Sequence, residues 1–207
     1  MHKNNLYILT RCSRLENLLN IKKSIFDNKN DFWNINWYIA VDNKKIKNIP
    51  SHILNNLQSE NIKLFFDLNS DGIYGNNLLN ELLNIIDQKE NNWIYILDDD
   101  NKLHERFLNR TSEILKTNIC KCIIFSQMSF DTRFGNSLFR TSSEKNINVR
   151  KIDMAQFLIN SVLIKNNRFE INEYVSDGIF ITKIYYENPN DFYIIDEILC
   201  YYNFYSK

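Results

Sequence analysis

The sequence predicts an α/β fold in which a mostly parallel central sheet is flanked by helices, and three observations carry that prediction. Through the first half of the chain, apolar β-branched runs alternate with runs of helical spacing. Several of the strand-like runs stop abruptly at polar or charged residues, as buried strands do where their carboxyl ends reach a crevice. The chain has 207 residues, enough to bury a sizeable core, and no repeat, low-complexity run or Pro/Ser linker divides it. Residues 1–207 are therefore expected to form a single domain.

Residues 6–10 form an apolar run closed by Thr10-Arg11, a first strand. Residues 13–26 carry Leu15, Leu18, Leu19, Ile21 and Ile25 near helical spacing, with Ser13 in position to cap the helix. Residues 36–41 return to strand character and stop at Asp42, so strand, helix and strand predict a right-handed parallel βαβ unit. A short helix is expected over 51–57, a third strand over 62–66 and a helix over 77–91. The fourth strand, 93–97, follows. Further along, 104–115 reads as a helix, 122–127 as a strand and 130–148 as a polar loop or lid. Residues 152–164 are apolar around Asp153, Ser176-Asp177-Gly178 leads into a helix over 179–186, and the aromatic stretch 192–205 is strand-like.

The composition narrows the function classes. Lys plus Arg number 25 and Asp plus Glu number 25, so no general charge draws the chain to nucleic acid or to an anionic membrane. Residues 1–6 lack an apolar signal core, and no stretch approaches the roughly 20 apolar residues of a membrane span. A soluble, cytoplasmic protein is expected. Cys12, Cys120, Cys122 and Cys200 are scattered, and Cys120-Lys121-Cys122 lacks the spacing of a zinc knuckle or redox pair, so buried free thiols are expected.

The most informative stretch is Trp93-Ile94-Tyr95-Ile96-Leu97-Asp98-Asp99-Asp100. Three carboxylates at the end of a buried strand are costly to bury unless cations pair with them or a metal ion neutralises them. Mg²⁺ and Mn²⁺ take oxygen ligands and complete their shells with water and phosphate oxygens, which makes this strand end a candidate metal and diphosphate site. The alternative is a solvated turn that caps a following helix. Thr10-Arg11, Asp42 and Asp98 to Asp100 all fall at expected strand ends and converge on one crevice.

Several stretches resemble GT-A-fold glycosyltransferases, combining a family-2-like start with pieces similar to the β-1,3-glucuronosyltransferases. They are Leu6-Tyr7-Ile8-Leu9-Thr10-Arg11, Asn36-Trp37-Tyr38-Ile39-Ala40-Val41-Asp42, Gly75-Asn76 with Asn80 and Leu83, Ile96-Leu97-Asp98-Asp99-Asp100-Asn101, and Asp153-Met154-Ala155-Gln156-Phe157. The resemblance implies a GT-A fold whose residues 1–100 bind the nucleotide and whose residues 101–207 bind the acceptor. It implies a DXD-type motif in which Asp100 ligates Mn²⁺ or Mg²⁺, Asp99 faces the ribose or the metal's outer shell, and Asp98 stands beside the sugar, ribose or metal. Thr10, Arg11 and Asp42 match base and ribose contacts, although Thr10 also reads as a strand end and Arg11 as half of a surface ion pair. Asn80 matches a polar donor-site position whose usual Arg neighbour is Leu79 here.

An inverting transfer needs a base for the acceptor hydroxyl. Asp177 matches the family's base position and fits a helix N-cap equally well, while Asp153 matches a sugar contact or a buried structural carboxylate. Gln156 stands where the glucuronosyltransferases have Gly, beside the sugar. No late His or Glu motif of that family is present, so specificity for glucuronic acid is not implied. An Asp100/His104 metal pair is allowed by helical spacing, but a surface His explains His104 as well. The aromatic residues Tyr185, Tyr186, Phe192, Tyr193, Tyr201, Tyr202 and Tyr205 suit either acceptor stacking or core packing.

The expectation is a metal-dependent inverting glycosyltransferase using a UDP-sugar donor and a glycan or glycoconjugate acceptor. A nucleotidyltransferase acting on a sugar phosphate is the alternative enzyme, though Leu9-Thr10-Arg11-Cys12-Ser13-Arg14 lacks the glycines of a triphosphate loop. A non-catalytic glycan-binding relative is the alternative outside catalysis.

Overall fold

Strand β1 (Asn4–Cys12) lies inside the sheet and pairs in parallel with β2 (Trp33–Val41) on one side and β4 (Asn92–Ile96) on the other. The computed structural model describes residues 3–130, 138–140 and 143–206. Helix α1 (Leu18–Phe26) connects β1 to β2, and α2 (Ser51–Leu57) leads to β3 (Ile62–Phe65), which extends the sheet in parallel beyond β2. Helix α3 (Asn76–Ile85) then returns the chain to β4. Because β2 and β3 go to one side of β1 and β4 to the other, the strand order reverses at β1, the place where open α/β sheets leave a crevice at their carboxyl ends.

The second half extends this sheet with mixed pairing. After the two-residue β5 (Lys102–Leu103) and α4 (Phe107–Thr117) come β6 (Cys122–Ser129), β7 (Leu138–Arg140), β8 (Phe157–Asn160), α5 (Ser161–Ile164), α6 (Ser176–Glu187) and β9 (Phe192–Tyr202). Strand β8 pairs antiparallel with both β4 and β6, joining the halves, while β9 runs parallel to β6 with an irregular register. The order is β3-β2-β1-β4-β8-β6-β9-β5, with β7 paired to β6.

Side-chain alternation sends each strand's residues to two faces. On β1 and β4, Leu6, Ile8, Trp93 and Tyr95, with Leu97 just past β4, join α1, α2 and α4 in one buried cluster. Leu9, Ile94 and Ile96 join α3, α5 and α6 in the other. Burying each large apolar side chain contributes roughly 1.5–3 kcal/mol, so packing on both faces stabilises the β1/β4 seam. Among the described residues, no helix is long and apolar enough to cross a membrane. The free cysteines Cys12, Cys122 and Cys200 are buried, and Cys120 is half-buried.

Three sequence expectations are corrected here. Ser13 does not cap α1: its hydroxyl is 3.0 Å from an Asp99 carboxylate oxygen, and the chain first makes a 3-10 turn over Leu15–Asn17. Helix α3 ends at Ile85 rather than near residue 91, because Ile86 turns extended and the loop beyond it is tied to Ser161 and Asn92. Of the expected loop over 130–148, residues 138–140 form β7, while 131–137 and 141–142 lie outside the described residues.

Candidate functional site

The crevice at the β1/β4 seam is an open cleft of about 330 Å³. Its walls come from the carboxyl ends of β1, β2 and β4, the start of α3, residues 149–154, the start of α6 and the turn after β9. The described lining carries six carboxylates, Asp42, Asp98, Asp99, Asp100, Asp153 and Asp177, against four basic side chains, Arg11, Arg14, Lys45 and Arg150.

Alternation past the end of β4 turns the neighbouring carboxylates in different directions. Asp98 meets Arg11 in a two-pronged pair, Nε to Oδ1 at 2.7 Å and Nη2 to Oδ2 at 2.8 Å. Both side chains are mostly buried, and a paired guanidinium and carboxylate satisfy each other's geometry. Burial opposes the Arg11 charge, but Asp98 outweighs it and raises the Arg11 pKa further above its ordinary value. Arg11 Nη1 also donates to the Tyr74 carbonyl and to Asn76 Oδ1, tying β1 to the start of α3. Gly75 makes this approach possible. Its φ of 70° suits glycine, and a Cβ there would stand 3.1 Å from Arg11 Cδ.

Asp99 locks the seam from the other side. Its Oδ2 accepts from the backbone N–H groups of Ser13 and Arg14, and Oδ1 accepts from Arg14 Nη1 at 2.6 Å. Burial raises its pKa despite these donors. Asp100 accepts from Arg14 Nη1 at 2.9 Å. Burial, together with repulsion from Asp98 and Asp99, outweighs Arg14 and pushes its pKa up to about 6. The C-terminal turn braces this loop: Tyr205 N–H donates to the Asp100 carbonyl and Asn203 N–H to Asn101 Oδ1.

Asp42 stands at the end of β2, where its Oδ1 accepts from the Lys44 N–H at 3.0 Å and Lys45 lies 4.0 Å from the other oxygen. Asp177 occupies the first turn of α6, while Val175 is the capping residue, so the helix begins before residue 179. A carboxylate there is favoured by the positive end of the helix. Gly178 lets α6 pack against the backbone at Val149: a Cβ on it would fall on the Val149 carbonyl. Asp153 accepts from Ala155 N–H at 2.9 Å and the Gln156 side chain accepts from Asp153 N–H at 3.1 Å, a reciprocal cap on the 3-10 turn over Met154–Gln156.

Thus Arg11, Asp42, Asp98, Asp99, Asp100, Asp153 and Asp177 share one cleft. Thr10, Asn80 and Gln156 lie outside its lining. The buried Thr10 hydroxyl donates to the Leu97 carbonyl at 2.7 Å and accepts from Trp37 Nε1 at 2.8 Å. Asn80 exchanges two hydrogen bonds with the Phe169 backbone, and Gln156 Nε2 donates to the Phe125 carbonyl. His104 also lies outside the lining: its Nδ1 accepts from Arg106 N–H, and its ring contacts Tyr201. Of the seven aromatic residues singled out in the sequence, only Tyr202 reaches the lining. Arg14, Lys45, Arg150, Tyr74 and Tyr174 line the cleft without having been singled out by role. Tyr74 before Gly75-Asn76 and Tyr174 before Asp177 were signalled only by adjacency to matched motifs.

Among the described residues, no group of three or more His, Cys, Asp or Glu side chains is arranged to hold a metal ion by itself. The donor chemistry still suits Mg²⁺ or Mn²⁺, which bind through one or two carboxylates plus water and phosphate. Asp100, which lines the cleft, is a carboxylate of that kind.

No family model and no curated protein sequence matches the chain. Solved structures do. S. aureus TarS 1–349 superposes with a TM-score of 0.71 at 15% identity, covering 96% of this chain and 60% of that one. The same protein in complex with UDP-GlcNAc gives 0.64 at 15% identity over 97% of this chain and 58% of that one. A mannosyltransferase from Pyrobaculum calidifontis, in complex with GDP-Man and Mn²⁺, gives 0.69 at 12% identity over 97% and 57%. The chain therefore has the fold expected of it, a mostly parallel α/β sheet flanked by helices shared with these proteins, and spans about three fifths of their length.

Proposed function

We propose that the chain is a metal-dependent, inverting glycosyltransferase that transfers a sugar from a UDP-sugar to a hydroxyl of a glycan or glycoconjugate. The observation that carries the reading is the gathering of Asp42, Asp98 to Asp100 and Asp177 in one cleft at the reversal of strand order. Complexes of proteins of the same fold with UDP-GlcNAc and with GDP-Man and Mn²⁺ support a nucleotide-sugar donor. The likeness to β-1,3-glucuronosyltransferases rests on the sequence motifs alone.

Residues 1–100 serve the nucleotide and residues 101–207 the acceptor. Asp100, with Asp98 beside it, would hold Mn²⁺ or Mg²⁺, and that ion would supply positive charge to the departing diphosphate. Arg11 and Arg14 keep the three carboxylates in place by pairing them from opposite faces of the seam. Asp99 is mainly a brace in this scheme, and Asp42 receives the ribose or base. Thr10, Asn80 and Gln156 support the site from behind through the hydrogen bonds described above. Asp177 takes the acceptor hydroxyl's proton while that oxygen attacks the anomeric carbon from the face opposite the diphosphate. Asp153 stands beside the transferring sugar or the acceptor.

Calorimetric titration of UDP, GDP and CMP tests the donor assignment, with and without Mn²⁺, on the wild type and Asp100→Ala. Mn²⁺-dependent UDP binding that is lost in the variant supports the reading. Absence of nucleotide binding under every metal condition overturns it in favour of a non-catalytic relative.

A further inference from the structure

Two tyrosines at the rim of the cleft have no part in the chemistry above. Tyr74 is 59% and Tyr174 73% exposed, and both line the cleft. Their rings meet edge to face with centroids 5.2 Å apart. The backbone beneath them is firmly tied. Ile73 N–H donates to the Ile171 carbonyl at 2.8 Å, and Asn76 Nδ2 donates to the carbonyls of Glu170 and Glu173 at 3.0 and 3.2 Å. Tyr74 itself sits at φ 55°, a left-handed conformation unusual for a bulky side chain, and its carbonyl accepts from the paired Arg11. The loops before α3 and α6 thus form one stitched unit that presents two aromatic rings to solvent.

Aromatic surface left bare beside a strongly polar cleft suits a ligand with one apolar face and a polar edge. A pyranose ring has that shape: its axial C–H bonds can lie on an aromatic ring while its hydroxyls reach polar neighbours. Tyr174 lies three residues before Asp177 on the segment entering α6 and lines the same cleft, so a sugar on this platform lies near that carboxylate.

We propose that Tyr174, joined by Tyr74 from the nucleotide-binding half, forms the acceptor subsite, a stacking platform that holds a sugar ring of the acceptor near Asp177. The assignment rests on the glycosyltransferase reading. The aromatic faces do the holding, so the tyrosine hydroxyls are dispensable.

Saturation-transfer NMR on the whole chain tests this. The probes are methyl β-glucopyranoside, methyl β-galactopyranoside and methyl N-acetyl-β-glucosaminide, each measured with UDP and Mn²⁺ present. Ring C–H signals of at least one glycoside are expected in the wild type. They should fall at least about five-fold in Tyr174→Ala and stay within about two-fold in Tyr174→Phe, while UDP affinity measured by calorimetry stays within about two-fold in both. The exposure of Tyr174 makes both variants foldable, which circular dichroism checks. A wild type that binds UDP but none of the glycosides overturns the platform and leaves the donor site standing. Undiminished glycoside signals in Tyr174→Ala also overturn it. Loss of UDP affinity in Tyr174→Ala with glycoside signals kept would assign the pair to the nucleobase instead. A wild type that binds neither UDP nor glycoside removes the glycosyltransferase reading, and the platform with it.

Discussion

Asp100 stores destabilisation that its proposed cation would relieve, and Asp100→Asn should expose it. Burial and the neighbouring carboxylates raise its pKa from the ordinary 3.8 to about 6. Between these values the folded protein keeps a proton that the unfolded chain has released, so stability falls as pH rises through that window. The full cost is present above pH about 6. At about 1.4 kcal/mol for each pKa unit, the cost approaches ~3 kcal/mol at pH 8 as an upper bound. Asn keeps an oxygen for Arg14 and carries no charge, so Asp100→Asn should stabilise the metal-free protein by about 1–3 kcal/mol, or roughly 3–10 °C in melting temperature for a chain of this size. Wild-type stability should decline between pH about 4 and about 6, and the variant should lose that part of the slope. Mn²⁺ at ~100 times its Kd should stabilise the wild type by about 3 kcal/mol and leave Asp100→Asn almost unmoved. Thermal unfolding at pH 5 and pH 8, with and without Mn²⁺, measures all of this. A variant less stable than the wild type at pH 8, or one that retains the full Mn²⁺ shift, would rule out this role for Asp100.

Two further substitutions separate the brace from the binding surface. Arg11→Ala leaves the mostly buried Asp98 without its two-pronged partner and should cost about 3–5 kcal/mol in urea unfolding, and Arg11→Lys should recover less than half of that because an ammonium cannot reproduce the fork. Thr10→Val removes the acceptor of Trp37 Nε1 and the donor to Leu97, and should cost about 1–3 kcal/mol while leaving UDP affinity by calorimetry within about two-fold.

The first half of the chain was legible in the sequence because its signals are local. Each parallel strand is a short apolar run that ends where the sheet ends, so Arg11, Asp42 and Asp98 could be placed in one crevice before any contact was known. The partners were not legible. Nothing local says that Asp99 would recruit Ser13 and delay α1, or that Arg14 would bridge Asp99 and Asp100, because those contacts span more than 80 residues of sequence. Thr10 matched a donor contact by position, yet alternation turns its hydroxyl toward Trp37, on the apolar face opposite Arg11. The second half was harder still. The pairing of β8 with both β4 and β6 depends on long-range register, and the aromatic residues counted in the C-terminal stretch mostly pack away from the cleft, while Tyr74 and Tyr174 reach it from isolated loop positions.

Sugar transfer with Asp177 as the base is open to direct assay. The most direct test is UDP release from a panel of UDP-sugars with Mn²⁺ and a glycan acceptor mixture, on the wild type and Asp177→Asn, with UDP binding measured on both. Acceptor-stimulated UDP release is expected in the wild type, with a loss of at least about 100-fold in Asp177→Asn and UDP binding intact. Undiminished turnover in Asp177→Asn, or a wild type that binds UDP yet releases none from any UDP-sugar, would contradict it.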